Sequence, residues 1–283
     1  MSTWRVVIAV GALAAALAAP TSALAKARPI YRDVAYGASP AEKATVYGQN
    51  SSGATTVVLV HGGGWRLQKL ATEEGSESKS LQLAGFVVVD IDYSQDSPTE
   101  TAFPLETNDV LDATDWAIAN AAAYGGNGAN VVLLGGSAGG QLVARAAELA
   151  DVAQPGAVRA VISLSGPMNF TTLVPLAESG GIKDRNYVFS IGQALGCSSS
   201  FASCSGSYET EWSPALNIPT SGCPDWLLFT SEIDTVATAQ ANEMLGDLDA
   251  AGCTAREEVL TTGHGFSYWS SISKTVSDYI DGE

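Results

Sequence analysis

A chain of 283 residues with a 46% hydrophobic fraction is long enough for one large domain with a sizeable core. Lys and Arg number 14 against 30 Asp and Glu, a formal net charge of -16 with no basic cluster of five or more to offset it. Such a surface repels phosphate backbones and anionic lipid headgroups, which argues against nucleic acid as a partner.

In chain order, the first feature is a leader. Arg5 supplies a positive charge, residues 6–19 are apolar and Ala-rich, Pro20 breaks the run, and Ala23-Leu24-Ala25 has a small-x-small pattern. The run is shorter than the roughly 20 residues that span a bilayer. The expectation is a signal peptide over residues 1–25, cleaved after Ala25 or at a second site after Ala27. Residues 26–283 then form a single catalytic domain, secreted and without stable membrane insertion. Oligomeric state has no sequence signature here.

Residues 32–37 and 43–48 are short β-like runs that predict an antiparallel hairpin opening this domain. Near-continuous Val/Ile/Leu runs follow at 55–60, 85–93, 130–134, 158–164, 226–230 and 255–260, the pattern of strands buried on both faces. Amphipathic stretches at 105–124, 138–151, 236–250 and 266–280 alternate with them. The alternation predicts an α/β fold with a doubly wound, mostly parallel sheet and no large cap. Residues 167–224 are long for one crossover and rich in Ser and Gly. They are expected to form either an excursion over a pocket or an irregular surface connection.

Four cysteines suit an oxidising compartment and predict two disulfides, Cys197 with Cys204 and Cys223 with Cys253. None has the spacing of a metal site. Asn50-Ser51-Ser52 and Asn169-Phe170-Thr171 match the glycosylation pattern, which matters only in a eukaryotic host.

The chemistry begins at Gly135-Gly136-Ser137-Ala138-Gly139, a G-x-S-x-G pattern between a strand and a helix. A strand-to-helix turn this tight strains the backbone at Ser137, so its neighbours must be small. The strain exposes the hydroxyl, and the helix start behind it favours developing negative charge. His61-Gly62-Gly63-Gly64-Trp65 follows the 55–60 strand. Its glycines let backbone N–H groups approach a ligand oxygen, making Gly63, Gly64 and Ala138 the candidate oxyanion donors.

A serine hydroxyl needs a base, and the chain holds only His61 and His264. His61 begins the glycine loop and is expected to order it, which leaves His264, in Thr262-Gly263-His264-Gly265. An acid should lie between serine and histidine at the end of a strand. Asp234 fits, 30 residues before His264. Glu232 is the alternative, whereas Asp225 lies at the wrong end of the strand. Trp65, Trp269 and Phe266 flank these residues and either shape an acyl or aryl pocket or serve as core aromatics.

Taken together, HGGGW, GGSAGG, the acid after LLFTSEID and the histidine in TGHGF resemble the α/β-hydrolase superfamily. The likeness is greatest to carboxylesterases related to hormone-sensitive lipase and to bacterial feruloyl and acetyl-xylan esterases. It implies a Ser137, Asp234 and His264 triad, an oxyanion hole of Gly63, Gly64 and Ala138, and no cofactor or metal. The implied reaction is hydrolysis of short-chain or polysaccharide-linked acetyl or feruloyl esters through an acyl-enzyme. The glycine loop follows the hairpin directly, with no room for an N-terminal helical cap, so the compact feruloyl-esterase-like group is the better match. A peptidase or amidase on the same scaffold, and an inactive binding protein, are the competing readings.

Overall fold

The computed structural model describes residues 27–66, 75–97, 101–197, 200–203, 206–219 and 222–282; the expected leader and Cys204 lie outside them. Among these residues the strands are β1 (Ile30–Ala35), β2 (Lys43–Tyr47), β3 (Ala54–Val60), β4 (Val87–Ile91), β5 (Gly126–Gly136), β6 (Val158–Leu164), β7 (Asp225–Ile233) and β8 (Ala255–Thr262). The helices are α1 (Ser76–Ala84), α2 (Leu105–Asn120), α3 (Ala138–Ala153), α4 (Phe170–Glu178), α5 (Arg185–Ala194), α6 (Gly206–Glu211), α7 (Ala239–Ala251) and α8 (Trp269–Asp281).

All eight strands form one sheet in the order β1-β2-β4-β3-β5-β6-β7-β8. The β1–β2 hairpin is antiparallel and pairs antiparallel with β4; every pairing from β4 onward is parallel. This is the predicted α/β architecture, hairpin included. The helix α1 has no counterpart in the sequence reading. Its mixed polar composition buries only Ser78, Leu81 and Gln82, so its periodicity is weak.

The central strands are predominantly apolar because both faces are covered. Alternate residues split between two cores, as the two-residue side-chain period requires. Val58, Val60, Val89, Val131 and Leu133 face α2, α3 and α7. Val57, Leu59, Val88, Val132 and Leu134 face α1 and α8, where Ile272, Val276 and Ile280 recur at helical spacing.

Strand order also decides where a site can form. The chain passes from β3 to β4 on one side, then crosses back over β3 to reach β5. The connections leaving β3 and β5 therefore diverge, and a crevice opens at the carboxyl ends of these two neighbours.

Candidate active site

The glycine loop leaves β3 and the serine turn leaves β5 at this crevice. Ser137 sits at φ 55° and ψ −122°, a conformation strained for any residue with a Cβ. Its surroundings leave little choice of neighbour. A Cβ on Gly135 would lie 2.2 Å from the Gly139 carbonyl oxygen, and one on Gly139 would lie 2.3 Å from that of Val60. The small residues thus let α3 start directly against the end of β3, and the turn holds Ser137 half-buried at the rim. Its amide donates to the Leu164 carbonyl at 2.7 Å, tying the turn to β6.

His264 follows β8 and enters the same crevice. Its Nε2 is 2.7 Å from Ser137 Oγ, and its Nδ1 is 2.6 Å from Asp234 Oδ1. A carboxylate only accepts, so the ring proton resides on Nδ1 and Nε2 is left to accept from the serine hydroxyl. Asp234 lies immediately after β7, its side chain 1% exposed against 29% for His264. Ser137, Asp234 and His264 are therefore brought into one hydrogen-bonded row. Glu232 is exposed on β7, outside that row, and Asp225 opens β7 at its far end.

The carboxylate is held by more than the histidine. Asp234 Oδ1 accepts from the Val236 amide at 3.1 Å, and Oδ2 accepts from Ser165 Oγ at 2.6 Å. With its proton given to Asp234, Ser165 Oγ accepts from the Gly265 amide at 3.1 Å and from Tyr268 Oη at 2.8 Å. Burial, reinforced by the nearby Asp234 charge and opposed by the hydrogen bond with Ser165, keeps the Tyr268 phenol protonated well above its ordinary range. Ser165 itself adopts φ 56° just beyond β6. Sequence reasoning missed Ser165 and Tyr268; the signal was a polar residue at the carboxyl end of a core strand, in LSG.

Gly62, Gly63 and Gly64 line the pocket opposite His264, and Ala138 heads α3 directly after Ser137. The first amides of a helix have no intrahelical partner, so the Ala138 N–H is available beside the Ser137 hydroxyl. The loop presses on the serine turn: a Cβ on Gly62 would lie 2.9 Å from the Gly136 carbonyl oxygen. His61 orders the loop as expected. Its ring stacks on Tyr93 with centroids 4.4 Å apart, its Nδ1 donates to the Gly62 carbonyl at 2.7 Å, and Tyr93 Oη donates to the His61 carbonyl at 3.2 Å.

The pocket over Ser137 and His264 holds about 570 Å³. Of the three flanking aromatics only Phe266 lines it. Trp65 is fully buried, 4.9 Å from the Trp212 ring and donating to Gln141 at 3.0 Å, while Trp269, the first residue of α8, packs into the core. Both are core aromatics. The backbone at Trp65, with φ 59°, turns the side chain inward beneath the loop rather than over the serine. The 167–224 segment is built of short helices and does reach the pocket, through Asp184, Asn186, Tyr187 and Ser190 of the α5 region.

The Cys223–Cys253 disulfide is formed as expected, joining the residues before β7 to the end of α7. Cys197 is also disulfide-bonded. No described helix is long and apolar enough to cross a membrane.

Comparison with known proteins agrees with this architecture. A versiconal hemiacetal acetate esterase from Dothistroma septosporum is 37% identical over 82 residues, 29% of this chain and 24% of that protein. Carboxylesterase NlhH from Mycobacterium tuberculosis is 37% identical over 100 residues, 35% of this chain and 31% of the relative. The chain thus aligns with about a quarter to a third of the length of these curated relatives. A truncated carbohydrate esterase from gut microbiota superposes with a TM-score of 0.71 at 18% identity, covering 90% of this chain and 95% of its own, a likeness of fold. The α/β-hydrolase fold family model matches residues 57–267, from β3 through the histidine loop, and the chain belongs to that family.

Proposed function

We propose that this protein is a serine carboxylesterase. The observation that carries the reading is the continuous row from Ser137 Oγ through His264 to Asp234, with contacts of 2.7 and 2.6 Å, opening into a pocket lined by the glycine loop. In this reading Ser137 attacks the ester carbonyl as His264 Nε2 takes its proton. The Gly63, Gly64 and Ala138 amides stabilise the oxyanion, each donor contributing about 3 to 4 kcal/mol. Asp234 holds the imidazole tautomer and stabilises the imidazolium. His264 then protonates the departing alcohol, and water repeats the sequence on the acyl-enzyme to release the acid.

The substrates we propose are short-chain esters and acetyl or feruloyl esters attached to polysaccharides. The carboxylesterase and carbohydrate esterase names of the relatives support that choice by analogy. The leader pattern of residues 1–25 and the Cys223–Cys253 disulfide support export. The test is hydrolysis of p-nitrophenyl esters from acetate to decanoate, run beside Ser137→Ala. Cleavage of the short esters with a folded, inactive variant is expected. An active Ser137→Ala protein, free of contaminating esterase, refutes the assignment.

A further inference from the structure

The helix α5 runs across the pocket from the glycine loop to the catalytic acid. At one end, Ser190 Oγ would be 2.7 Å from a Cβ placed on Gly64. At the other, Tyr187 lines the pocket close enough to Asp234 for that carboxylate's charge to act on its phenol. Tyr187 is 8% exposed, and among the described residues nothing accepts from or donates to its hydroxyl. A buried hydroxyl without a partner destabilises the fold, and functional pockets are where such groups occur. Burial, reinforced by Asp234, raises the Tyr187 pKa far above its ordinary value, so the group remains a neutral O–H donor at any working pH.

The direction of the reaction says which part of a substrate meets this donor. The ester carbonyl oxygen must face the Gly63 and Gly64 amides, and the departing oxygen must lie within reach of His264 Nε2. The alcohol portion therefore occupies the side where His264 and Asp234 stand, the Tyr187 end of α5. Polar groups continue there. Asp184, Asn186 and Thr235 line the pocket beyond Tyr187, and Asp184 and Thr235 also line an adjoining hollow of about 380 Å³ that passes Lys183.

Resting on the carboxylesterase reading above, we propose that Tyr187, Asp184, Asn186 and Thr235 form a subsite for the alcohol portion of the ester, selecting a polyhydroxylated alcohol such as a glycosyl residue. The Tyr187 hydroxyl donates to an oxygen of that alcohol next to the scissile bond. An apolar alcohol leaves it unpartnered, and sites built to bond a hydroxyl discriminate strongly against analogues that lack one.

The test compares two acetyl esters that differ only in the alcohol, an O-acetylated methyl β-xyloside and p-nitrophenyl acetate. Tyr187→Phe is expected to lower kcat/KM on the xyloside about tenfold, the loss of one neutral hydrogen bond, and to stay within twofold on the phenyl ester. Asn186→Ala, an exposed position on the same trough, should lower only the xyloside rate. Equal losses of Tyr187→Phe on both esters, or no loss on either, overturn the proposal. So does a wild-type protein that cleaves the phenyl ester but not the xyloside, which leaves the carboxylesterase reading standing. A folded wild-type protein that cleaves neither refutes that reading and this inference with it.

Discussion

Ser165→Ala should slow catalysis without weakening substrate binding. Ser165 does not itself line the pocket; it acts by donating to Asp234 Oδ2 at 2.6 Å while accepting from the Gly265 amide beside His264. Hydrogen bonds to charged groups contribute about 1.5 to 3 kcal/mol. If that energy serves to hold the Asp234–His264 pair in line, its loss lowers kcat roughly 10- to 150-fold with KM unchanged. The same change leaves the Gly265 N–H buried without its acceptor and the Tyr268 hydroxyl with only the Phe229 carbonyl at 3.5 Å, which costs on the order of 2 kcal/mol of stability. Melting should fall by about 4 to 8 °C. The assay is steady-state hydrolysis of p-nitrophenyl acetate well below that transition, beside a thermal melt of the same samples. A variant with lowered melting and kcat within threefold of wild type would show that Ser165 supports the fold alone and would refute the positioning argument.

Two further outcomes test the fold around the site. Gly139→Ala places a Cβ 2.3 Å from the Val60 carbonyl oxygen and 2.4 Å from that of His61, backbone atoms that cannot yield. It should destabilise by several kcal/mol or yield insoluble protein, and a melt within about 2 °C of wild type would contradict the claimed contact. Glu106 is fully buried beside Asp96, and burial first, then the Asp96 charge, pushes its pKa up to about 9 from 4.5. The unfolded chain loses this proton near pH 4.5 while the folded chain keeps it, so stability is complete below pH 4.5 and declines as pH rises toward 9. Glu106→Gln keeps the neutral shape and should flatten that decline, gaining on the order of 1 to 3 kcal/mol near pH 8. Parallel stability profiles for wild type and variant between pH 5 and 9 would show that Glu106 does not titrate across this range.

Much of this molecule was legible before any coordinates. The parallel strands read as apolar runs because both of their faces are covered, and Val158–Leu164 matches the predicted bounds to the residue. Serine, acid and histidine were legible because each follows a core strand and the chemistry demands its residue type, while two histidines left little choice of base. The hairpin and the Cys223–Cys253 bridge were equally local in origin.

Tertiary structure decided the rest, and the reason is that it depends on distances across the sheet. Asp234 prevails over Glu232 because Glu232 stays exposed at the end of β7, while the chain just beyond the strand carries Asp234 to His264. Trp65 follows the glycine loop in sequence yet lies in the core, packed against Phe170 and Trp212 beyond a run of three positive φ values at Gly63, Gly64 and Trp65. Ser165 and Tyr268 are 69 and 103 residues from their partners Asp234 and Ser165, a separation that leaves no periodic signature. Residue type and spacing along the chain determine which strands, turns and reactive groups exist. Only packing determines which polar groups converge on one carboxylate, because a hydrogen bond requires about 3 Å in space and no fixed separation in sequence.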